Sequence, residues 1–319
     1  MDERQIQEAS SVIEHVSECI SQAFVGKREL TFSLLNGFIA GLHVLVEDVP
    51  GVGKTTLAKA LSASVGMDFT RIQFTPDLLP GDIVGMTVWS QEKRDFVYKQ
   101  GAIMHQFILA DEINRASPRT QASLLEAMQE GCVSVDGRTY RLPSPFFVVA
   151  TQNPSDFAGV FQLPEGELDR FGISFSLGYP ARSDERQILI RFQQENPLEQ
   201  LHPLIDTAQA LEIQAMVASL LVSDPIRDFI IDIVSGTRSN RYVRLGASPR
   251  AAQHLQRAAQ GRAFLSGRSY VIPEDVMDLA NSVLAHRLVL STEARMANKS
   301  SQEVIREVLK ECKIPVRLR

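Results

Sequence analysis

Short apolar runs alternate with helical patterns along the first half of the chain. Each run is bounded by turn-forming or charged residues, as buried strands usually are. The predicted strands cover residues 42–47, 69–74, 106–110 and 146–151. Because they stand at the intervals of strand-helix-strand units, they predict an α/β domain with a parallel sheet and flanking helices.

A different alternation lies between residues 131 and 145. Apolar and polar residues alternate from Cys132 to Val135, Asp136-Gly137 follows, and a second alternating run comes after it. An Asp-Gly pair accepts the positive φ angles of a tight two-residue turn. This segment therefore predicts a β-hairpin inserted into the α/β domain.

Helical patterns dominate the second half of the chain. Ser183 is predicted to cap a helix whose first turn holds Asp184 and Glu185. Apolar residues repeat on one helical face at 226–234 and again at 276–284. The change in pattern predicts two domains, an α/β core over 1–182 and a smaller all-α domain over 183–319.

Length and composition agree with two packed domains, since the chain has 319 residues of which 44% are hydrophobic. The net charge of −5 gives no general attraction to nucleic acid. Cys19, Cys132 and Cys312 are odd in number and far apart, which argues against disulfide and zinc frameworks. The charged start and the lack of an apolar run near ~20 residues predict no membrane span and a cytoplasmic location.

The strongest chemical signal is the loop after the first predicted strand. Glycines there let backbone N–H groups turn inward around phosphates, and the next helix adds its positive end. Lys54 is placed to meet the β- and γ-phosphates, and the Thr55 hydroxyl to ligate Mg²⁺. A glycine turn capping an ordinary helix is the alternative, which the strand and helix on either side disfavour. The loop predicts binding of ATP with Mg²⁺ through Pro50, Gly51, Val52, Gly53, Lys54, Thr55 and Thr56.

One position departs from the phosphate-loop pattern G-x-x-x-x-G-K-[ST]. Asp48 stands where the first glycine is expected. Aspartate tolerates left-handed backbone better than most residues, and the glycines nearer the phosphates remain. We therefore expect the departure to be mild.

Two adjacent carboxylates end the third predicted strand. Asp111 is placed to hold Mg²⁺, and Glu112 to orient and deprotonate the water that attacks the γ-phosphoryl group. A strand that ends in solvated acids is the alternative, which the upstream phosphate loop makes the minor interpretation.

Asn153 and Arg170 are weaker candidates. Asn153 follows the fourth strand, so its amide is expected between the metal and the attacking water, with an Asn-Pro turn as the alternative. Arg170 ends a short helical stretch, and taken alone it is simply a surface arginine.

These motifs occur in a recognisable order. They are Val-Pro-Gly-Val-Gly-Lys-Thr at 49–55, Ala-Asp-Glu-Ile-Asn-Arg at 110–115, Ala-Thr-Gln-Asn-Pro at 150–154, Leu-Asp-Arg-Phe at 168–171 and Ser-Pro-Arg at 248–250. Over roughly residues 20 to 290 the chain resembles the MoxR family of AAA+ ATPases. The aspartate at position 48 also resembles that family.

The resemblance implies roles that spacing alone does not. Asn153 resembles sensor 1, Arg170 the arginine finger offered to a neighbouring subunit, and Arg250 the sensor 2 arginine of a helical lid domain. A homo-oligomeric ring, commonly a hexamer, is implied, with each nucleotide between two subunits. Residues 76–86 resemble the helix 2 insert of this branch and the hairpin at 131–145 its pre-sensor hairpin, both facing the ring centre.

The resemblance also implies a chaperone-like motor that remodels or activates a protein partner, commonly one associated with von Willebrand factor A domains. A nucleic-acid translocase using the arginines between 238 and 262 is a second hypothesis, which the acidic net charge disfavours. The stretch from 238 to 250 is otherwise interpreted as a solvated loop. A nucleotide-gated scaffold with little turnover is a third hypothesis, which intact Glu112, Asn153 and Arg170 disfavour.

Overall fold

The computed structural model describes residues 3–49, 51–153, 160–191 and 197–315. Its helices are α1 Glu3–Ala23, α2 Arg28–Ile39, α3 Lys54–Ser64, α4 Pro80–Val84, α5 Pro118–Glu130, α6 Glu165–Leu168, α7 Arg182–Arg191, α8 Thr207–Ser219, α9 Asp224–Ser239, α10 Pro249–Leu265, α11 Pro273–Leu284, α12 Thr292–Met296 and α13 Ser301–Glu311. Its strands are β1 Val44–Glu47, β2 Phe69–Gln73, β3 Gly85–Ser90, β4 Asp95–Gln100, β5 Phe107–Asp111, β6 Cys132–Val135, β7 Arg138–Arg141, β8 Phe147–Gln152, β9 Ile173–Phe175, β10 Val243–Leu245 and β11 Val289–Leu290.

The described residues form a parallel five-stranded sheet in the order β2-β5-β8-β1-β9. The central strands β5 and β8 are buried almost throughout, which explains their uninterrupted apolar runs. All four predicted strands are present, and the predicted α/β fold is confirmed. The three-residue β9 was not predicted because it is too short to show a pattern. The five strands of this sheet run in parallel, so their carboxyl ends share one edge of it.

Two hairpins extend from this sheet. β6 and β7 pair antiparallel, and Asp136 and Gly137 have φ angles of 49° and 76°, which confirms the predicted two-residue turn. β3 and β4 form a second hairpin that the sequence did not reveal, and it extends the segment predicted at 76–86 as far as Gln100. Its side chains are exposed or half-buried on both faces, so no period of two marks it.

The second half is mainly helical, as predicted, although the short antiparallel pair of β10 and β11 departs from an all-α domain. α9 buries the expected apolar face. Ser183, however, is not a helix cap. α7 begins at Arg182, and the N–H groups of Asp184 and Glu185 bond the carbonyl of Ala181 at 2.8 and 2.9 Å. The helix thus starts one residue earlier than its best capping side chain.

Arg238 corrects the interpretation of its neighbourhood as a solvated loop. It lies in the last turn of α9, and its Nε donates to the carbonyl of Ala247 at 2.8 Å. β10 follows, and Arg250 already belongs to α10. The stretch is therefore only partly a loop, since the end of α9, β10 and the start of α10 make up about half of it.

Two apolar clusters enclose the sheet. One contains Leu45 and Ile108 from the sheet with Leu124 from α5. The other joins the opposite face of the sheet to α1 and to the helical half, and includes the fully buried Phe38 and Phe264. The domain boundary near residue 182 stays a prediction. Among the described helices, none is both long and apolar enough to cross a membrane.

Candidate functional site

A cavity of about 480 Å³ opens at the carboxyl edge of the sheet, and it is named the phosphate cavity. It brings together most of the predicted loop residues and both predicted acids. Its lining is Gly51, Gly53, Lys54, Thr55, Thr56, Arg71, Gln73, Asp111 and Glu112. Of the remaining loop residues, Val52 is half-buried beside the lining, and Pro50 lies outside the described residues.

The loop takes its shape from two glycines. Gly51 and Gly53 have φ angles of 85° and 95°, a region in which other residues are strained. Gly53 directly precedes α3, whose first N–H groups lack partners within the helix. Phosphate oxygens are the natural acceptors for such groups.

Lys54 is already held at the mouth of the loop. Its Nζ donates to the backbone carbonyl of Asp48 at 2.9 Å. Burial lowers the pKa of the Lys54 ammonium, and the negative charges of Asp111, Asp48 and Glu112 oppose that shift. The ammonium therefore faces acids on several sides of the cavity.

Asp48 corrects an expectation. It is not among the described residues with positive φ, so tolerance of left-handed backbone does not explain it. Its Oδ2 accepts hydrogen bonds from the Ser176 hydroxyl at 3.0 Å and the Gly178 N–H at 2.7 Å, and its Oδ1 accepts from the Val49 N–H at 2.9 Å. The buried carboxylate thus ties the phosphate loop to the segment after β9.

Asp111 is buried at the end of β5 with both oxygens engaged. Oδ1 accepts from the Thr151 hydroxyl at 2.6 Å, and Oδ2 from the Nη2 and Nε of Arg71 at 2.5 and 3.0 Å. The Thr151 Oγ1 also accepts from the N–H of Glu112 at 2.8 Å. One threonine of β8 therefore fixes both acids.

Glu112 adopts left-handed backbone, with φ 57° and ψ 49°, which is uncommon for glutamate and is often found at functional positions. Its Oε2 accepts from the Gln73 amide at 3.0 Å and pairs with the Arg115 Nε at 3.2 Å. Asp111 and Glu112 are therefore held by side-chain partners, which argues against the alternative of a strand that ends in solvated acids.

Arg71 and Gln73 were missed in the sequence. They stand two residues apart on β2, so they project from the same face of the sheet. The available sequence signal was a pair of polar residues two positions apart near the carboxyl end of a strand, because that end of the sheet carries the phosphate loop.

The donors in the phosphate cavity fit Mg²⁺. Thr55 offers a hydroxyl and Asp111 a carboxylate, the hard oxygen ligands that this ion prefers. The bond from Arg71 shows that the Asp111 carboxylate already attracts a cation. No group of three metal-ligating His, Cys, Asp or Glu occurs among the described residues.

Asn153 is buried just beyond the end of β8, outside the lining of the phosphate cavity. Its backbone carbonyl accepts from the Asn114 amide at 3.3 Å. Its strand neighbours β5, so the residue stands close to the edge where the acids lie. Its role beside the attacking water stays a prediction.

A second cavity of about 210 Å³, named the arginine cavity, contains the other two predicted residues. It lies at the amino edge of the sheet, since Gly41 to His43 precede β1 and Arg170 precedes β9. Among the described residues its lining includes no carboxylate. The lining is Gly41, Leu42, His43, Met128, Gln129, Arg170, Arg250 and His254.

The two arginines supply the charge of this cavity. Burial lowers the pKa of His43 to about 4, and burial together with Arg287 and Arg250 lowers the pKa of His254 to about 3, so both imidazoles are neutral near pH 7. The Nε and Nη1 of Arg170 are buried and have no hydrogen-bond partner among the described residues. The acid beside it is Glu167, whose pKa is raised by burial and lowered by the charge of Arg170. Buried donors without hydrogen bonds are costly, so the guanidinium can also accept an anion from outside.

Family models and curated relatives both match this chain. A model of the ATPase family associated with various cellular activities (AAA) matches residues 43–173, and an AAA lid domain model matches residues 235–308. "Uncharacterized protein YeaC" of Bacillus subtilis (strain 168) is 45% identical over 299 residues, which cover 94% of this chain and 93% of that protein. "Chaperone MoxR1" of Mycobacterium tuberculosis (strain ATCC 25618 / H37Rv) is 40% identical over 305 residues, covering 93% of this chain and 80% of the relative.

A solved structure extends the agreement to the whole fold. The crystal structure of a Cytophaga hutchinsonii protein superposes with a TM-score of 0.91 at 35% identity and covers 98% of both chains. Sequence relatives, family models and fold all support the same assignment, and they confirm the resemblance drawn from the motifs. The chain belongs to the MoxR family of AAA+ ATPases.

Proposed function

We propose that this chain binds ATP with Mg²⁺ and hydrolyses it in a homo-oligomeric ring, with each active site divided between two neighbouring subunits. One observation carries the proposal: the phosphate cavity and the arginine cavity lie at opposite ends of β1. A strand of this length spans about 13 Å. Arg170 therefore lies at the far end of the sheet from the nucleotide of its own chain, which leaves it available to the nucleotide of a neighbour.

The phosphate cavity forms the first half of the divided site. Lys54 and the loop N–H groups bind the β- and γ-phosphates, while Thr55 and Asp111 hold the metal. Mg²⁺ held by these two residues would supply positive charge beside the phosphate oxygens. Glu112 takes a proton from the attacking water at its carboxylate, and Asn153 orients that water.

The arginine cavity forms the second half, offered to the next subunit. The transition state of phosphoryl transfer spreads negative charge over the transferred group, and an inserted arginine there is typically worth ~10³ to 10⁵ in rate. Arg170 has donors ready for that charge. Arg250 shares its cavity, so we assign both arginines to the same neighbouring nucleotide.

We assign the work of the ring from the name of a relative and from exposed side chains on the surface. "Chaperone MoxR1" is named as a chaperone, which supports remodelling or activation of a protein client, including a von Willebrand factor A domain protein. Trp89 and Phe96 pack edge to face on the β3–β4 hairpin and are 55% and 63% exposed, which suits contact with protein. A hexamer is the proposed ring size. We place nucleic acid below protein as a client because the net charge is acidic.

Mixing two inactive variants tests the divided site. Arg170→Ala removes the finger but leaves the phosphate cavity whole, and Glu112→Gln does the reverse. Each variant alone should hydrolyse ATP very slowly. Random mixing pairs an intact Glu112 with an intact finger in on the order of a quarter of the sites, so a 1:1 mixture should regain about that share of wild-type turnover.

The unmixed variants and an Arg244→Ala with Glu112→Gln mixture serve as controls, since Arg244 is a largely exposed arginine outside both cavities. A 1:1 mixture of Arg170→Ala and Glu112→Gln that stays as slow as its components, although the subunits exchange, would show that the two halves act within one chain.

A further inference from the structure

Arg287 is a deeply buried arginine that the proposed hydrolysis does not use. It ends the 3₁₀ helix Ala285–Arg287 after α11, and its side chain is 2% exposed. Its Nε pairs with the Asp169 Oδ1 at 3.0 Å. A charge so far from water is tolerated only when its remaining donors are also satisfied.

Those remaining donors hold the backbone on both sides of Arg170. The Nη2 of Arg287 donates to the carbonyl of Phe171 at 2.5 Å and to that of Asp169 at 3.3 Å. Nη1 donates to the carbonyl of Val283 in α11 and also lies 3.5 Å from the carbonyl of Gly172. The neighbouring His286 places its Nε2 3.0 Å from the same Phe171 carbonyl. Residues 286–287 of the helical half thus hold segment 169–172, and this set of contacts is named the clamp.

Asp169 carries the clamp on to Arg250. The Ser248 hydroxyl lies 2.8 Å from both Asp169 carboxylate oxygens, and its Oγ accepts from the N–H of Ala251 as the cap of α10. Arg250 is the second residue of that helix. One carboxylate therefore connects the start of α10 with the residue next to Arg170.

The clamp also reaches the wall of the arginine cavity. The Nη2 of Arg287 lies 2.6 Å from the Nδ1 of His254, which lines the cavity. Burial lowers the pKa of Arg287 to about 10, with Asp169 opposing the shift, so the guanidinium stays charged near pH 7. A permanent cation is thus fixed behind the two arginines.

We propose that Arg287 is a positioning residue for the neighbouring subunit's hydrolysis, because it fixes Arg170 and, through Asp169, Arg250 at the mouth of the arginine cavity. The inference rests on the proposed division of the active site. The position of Arg170 then depends on the orientation of the helical half, because a movement of residues 285–287 also moves Arg170.

Arg268 offers a matched comparison. Its guanidinium also forms a two-armed pair, to the Asp275 carboxylate at 2.8 and 2.6 Å, but both partners belong to the helical half and neither touches segment 169–172. Arg268→Gln should lower stability and leave the turnover of folded chains near that of the wild type. It therefore reports the effect of losing a structural arginine alone.

The test is Arg287→Gln in the mixing experiment. Alone, the variant should lose on the order of 10² in turnover, since displacement of a positioned group by about 1 Å costs that much, while its ATP affinity is unchanged. Mixed with Glu112→Gln it should regain about a quarter of wild-type turnover, as Arg170→Ala does. Mixed with Arg170→Ala it should regain nothing, since both lack a working finger.

The possible results distinguish a failure of the positioning role from a failure of the divided site. Wild-type turnover in Arg287→Gln, or no rescue by Glu112→Gln where Arg170→Ala is rescued, overturns the positioning role but spares the divided site. No rescue of Arg170→Ala by Glu112→Gln overturns the divided site and the inference with it. If Arg287→Gln does not fold, Arg287→Lys keeps the charge beside Asp169 but loses the planar fork, and the same rescue with a smaller initial loss is expected.

Discussion

The two cavities at the ends of β1 differ in how they treat charge. In the phosphate cavity the acids are paired before any ligand arrives, Asp111 with Arg71 and Glu112 with Gln73. In the arginine cavity, two donor atoms of Arg170 are buried without a hydrogen bond to any described residue, although Glu167 lies close enough to interact with the charge. Under the proposed function, this difference means that the phosphate cavity binds the nucleotide, whereas Arg170 is a buried charge available to an anion of another molecule.

The sharpest test of that contrast is Arg170→Ala. Turnover should fall by ~10³ to 10⁵, because the arginine meets spread charge in the transition state. ATP affinity should stay unchanged, because the phosphate cavity of the variant is intact. Thermal stability should fall only slightly, since two of the replaced donors have no hydrogen bond to lose and the attraction to Glu167 is the loss that remains.

Steady-state turnover, equilibrium ATP binding and a melting curve measure these three quantities. The exposed Arg244→Ala is the control and should change none of them. The contrast between the cavities fails if Arg170→Ala weakens ATP binding while bound ATP is hydrolysed at the normal rate.

The next largest effect is a loss of stability in acid, which we expect from His43 in the wall of the arginine cavity. Its folded pKa of about 4 lies below the unfolded value of 6.5, so its contribution to stability is complete above pH 6.5 and is lost as the pH falls toward 4. The loss amounts to about 3 kcal/mol over that window. Its Nδ1 accepts from the Val148 N–H at 3.1 Å, a bond that the protonated ring cannot make.

Denaturant unfolding of His43→Gln between pH 7 and 4 measures this effect. The free energy of unfolding should vary less with pH in the variant than in the wild type. His15→Gln, an exposed change on α1, should leave the wild-type slope. Equal slopes for wild type and His43→Gln would contradict a neutral buried imidazole.

The smallest expected effect is that of Asp48→Gly, which restores the glycine of the common pattern. The free energy of unfolding should fall by about 2 kcal/mol, because bonds to Ser176 and Gly178 are lost. ATP affinity should change less than tenfold, because Lys54 bonds a backbone carbonyl that glycine keeps.

Asp136→Gly is the matched control. Asp136 has a φ of 49°, where glycine is at ease, so little loss is expected there. Loss of ATP binding without loss of stability in Asp48→Gly would instead make this side chain part of the phosphate site.

The features that could be predicted from the sequence are formed by residues that are neighbours along the chain. The glycines, Lys54, Thr55 and the pair Asp111 and Glu112 follow strands whose apolar runs are plain, and parallel strands bring their ends together. The hairpin at Asp136 was predicted for the same reason, because a two-residue turn is a local property.

Pairings across distance were not predictable. Asp48 is explained by partners 128 and 130 positions away, and Arg71 meets an acid 40 positions away. Arg287 meets Asp169 across 118 positions. No local pattern encodes such contacts, and the exposed β3–β4 hairpin lacks a buried face that would mark it.

The central claim, that one site needs two chains, is tested most directly by wild-type turnover per chain across protein concentration, with assembly mass measured in the same samples. The account predicts that turnover rises together with the fraction of chains in assemblies and approaches zero for monomers. Undiminished turnover at concentrations where the chain is monomeric would contradict it.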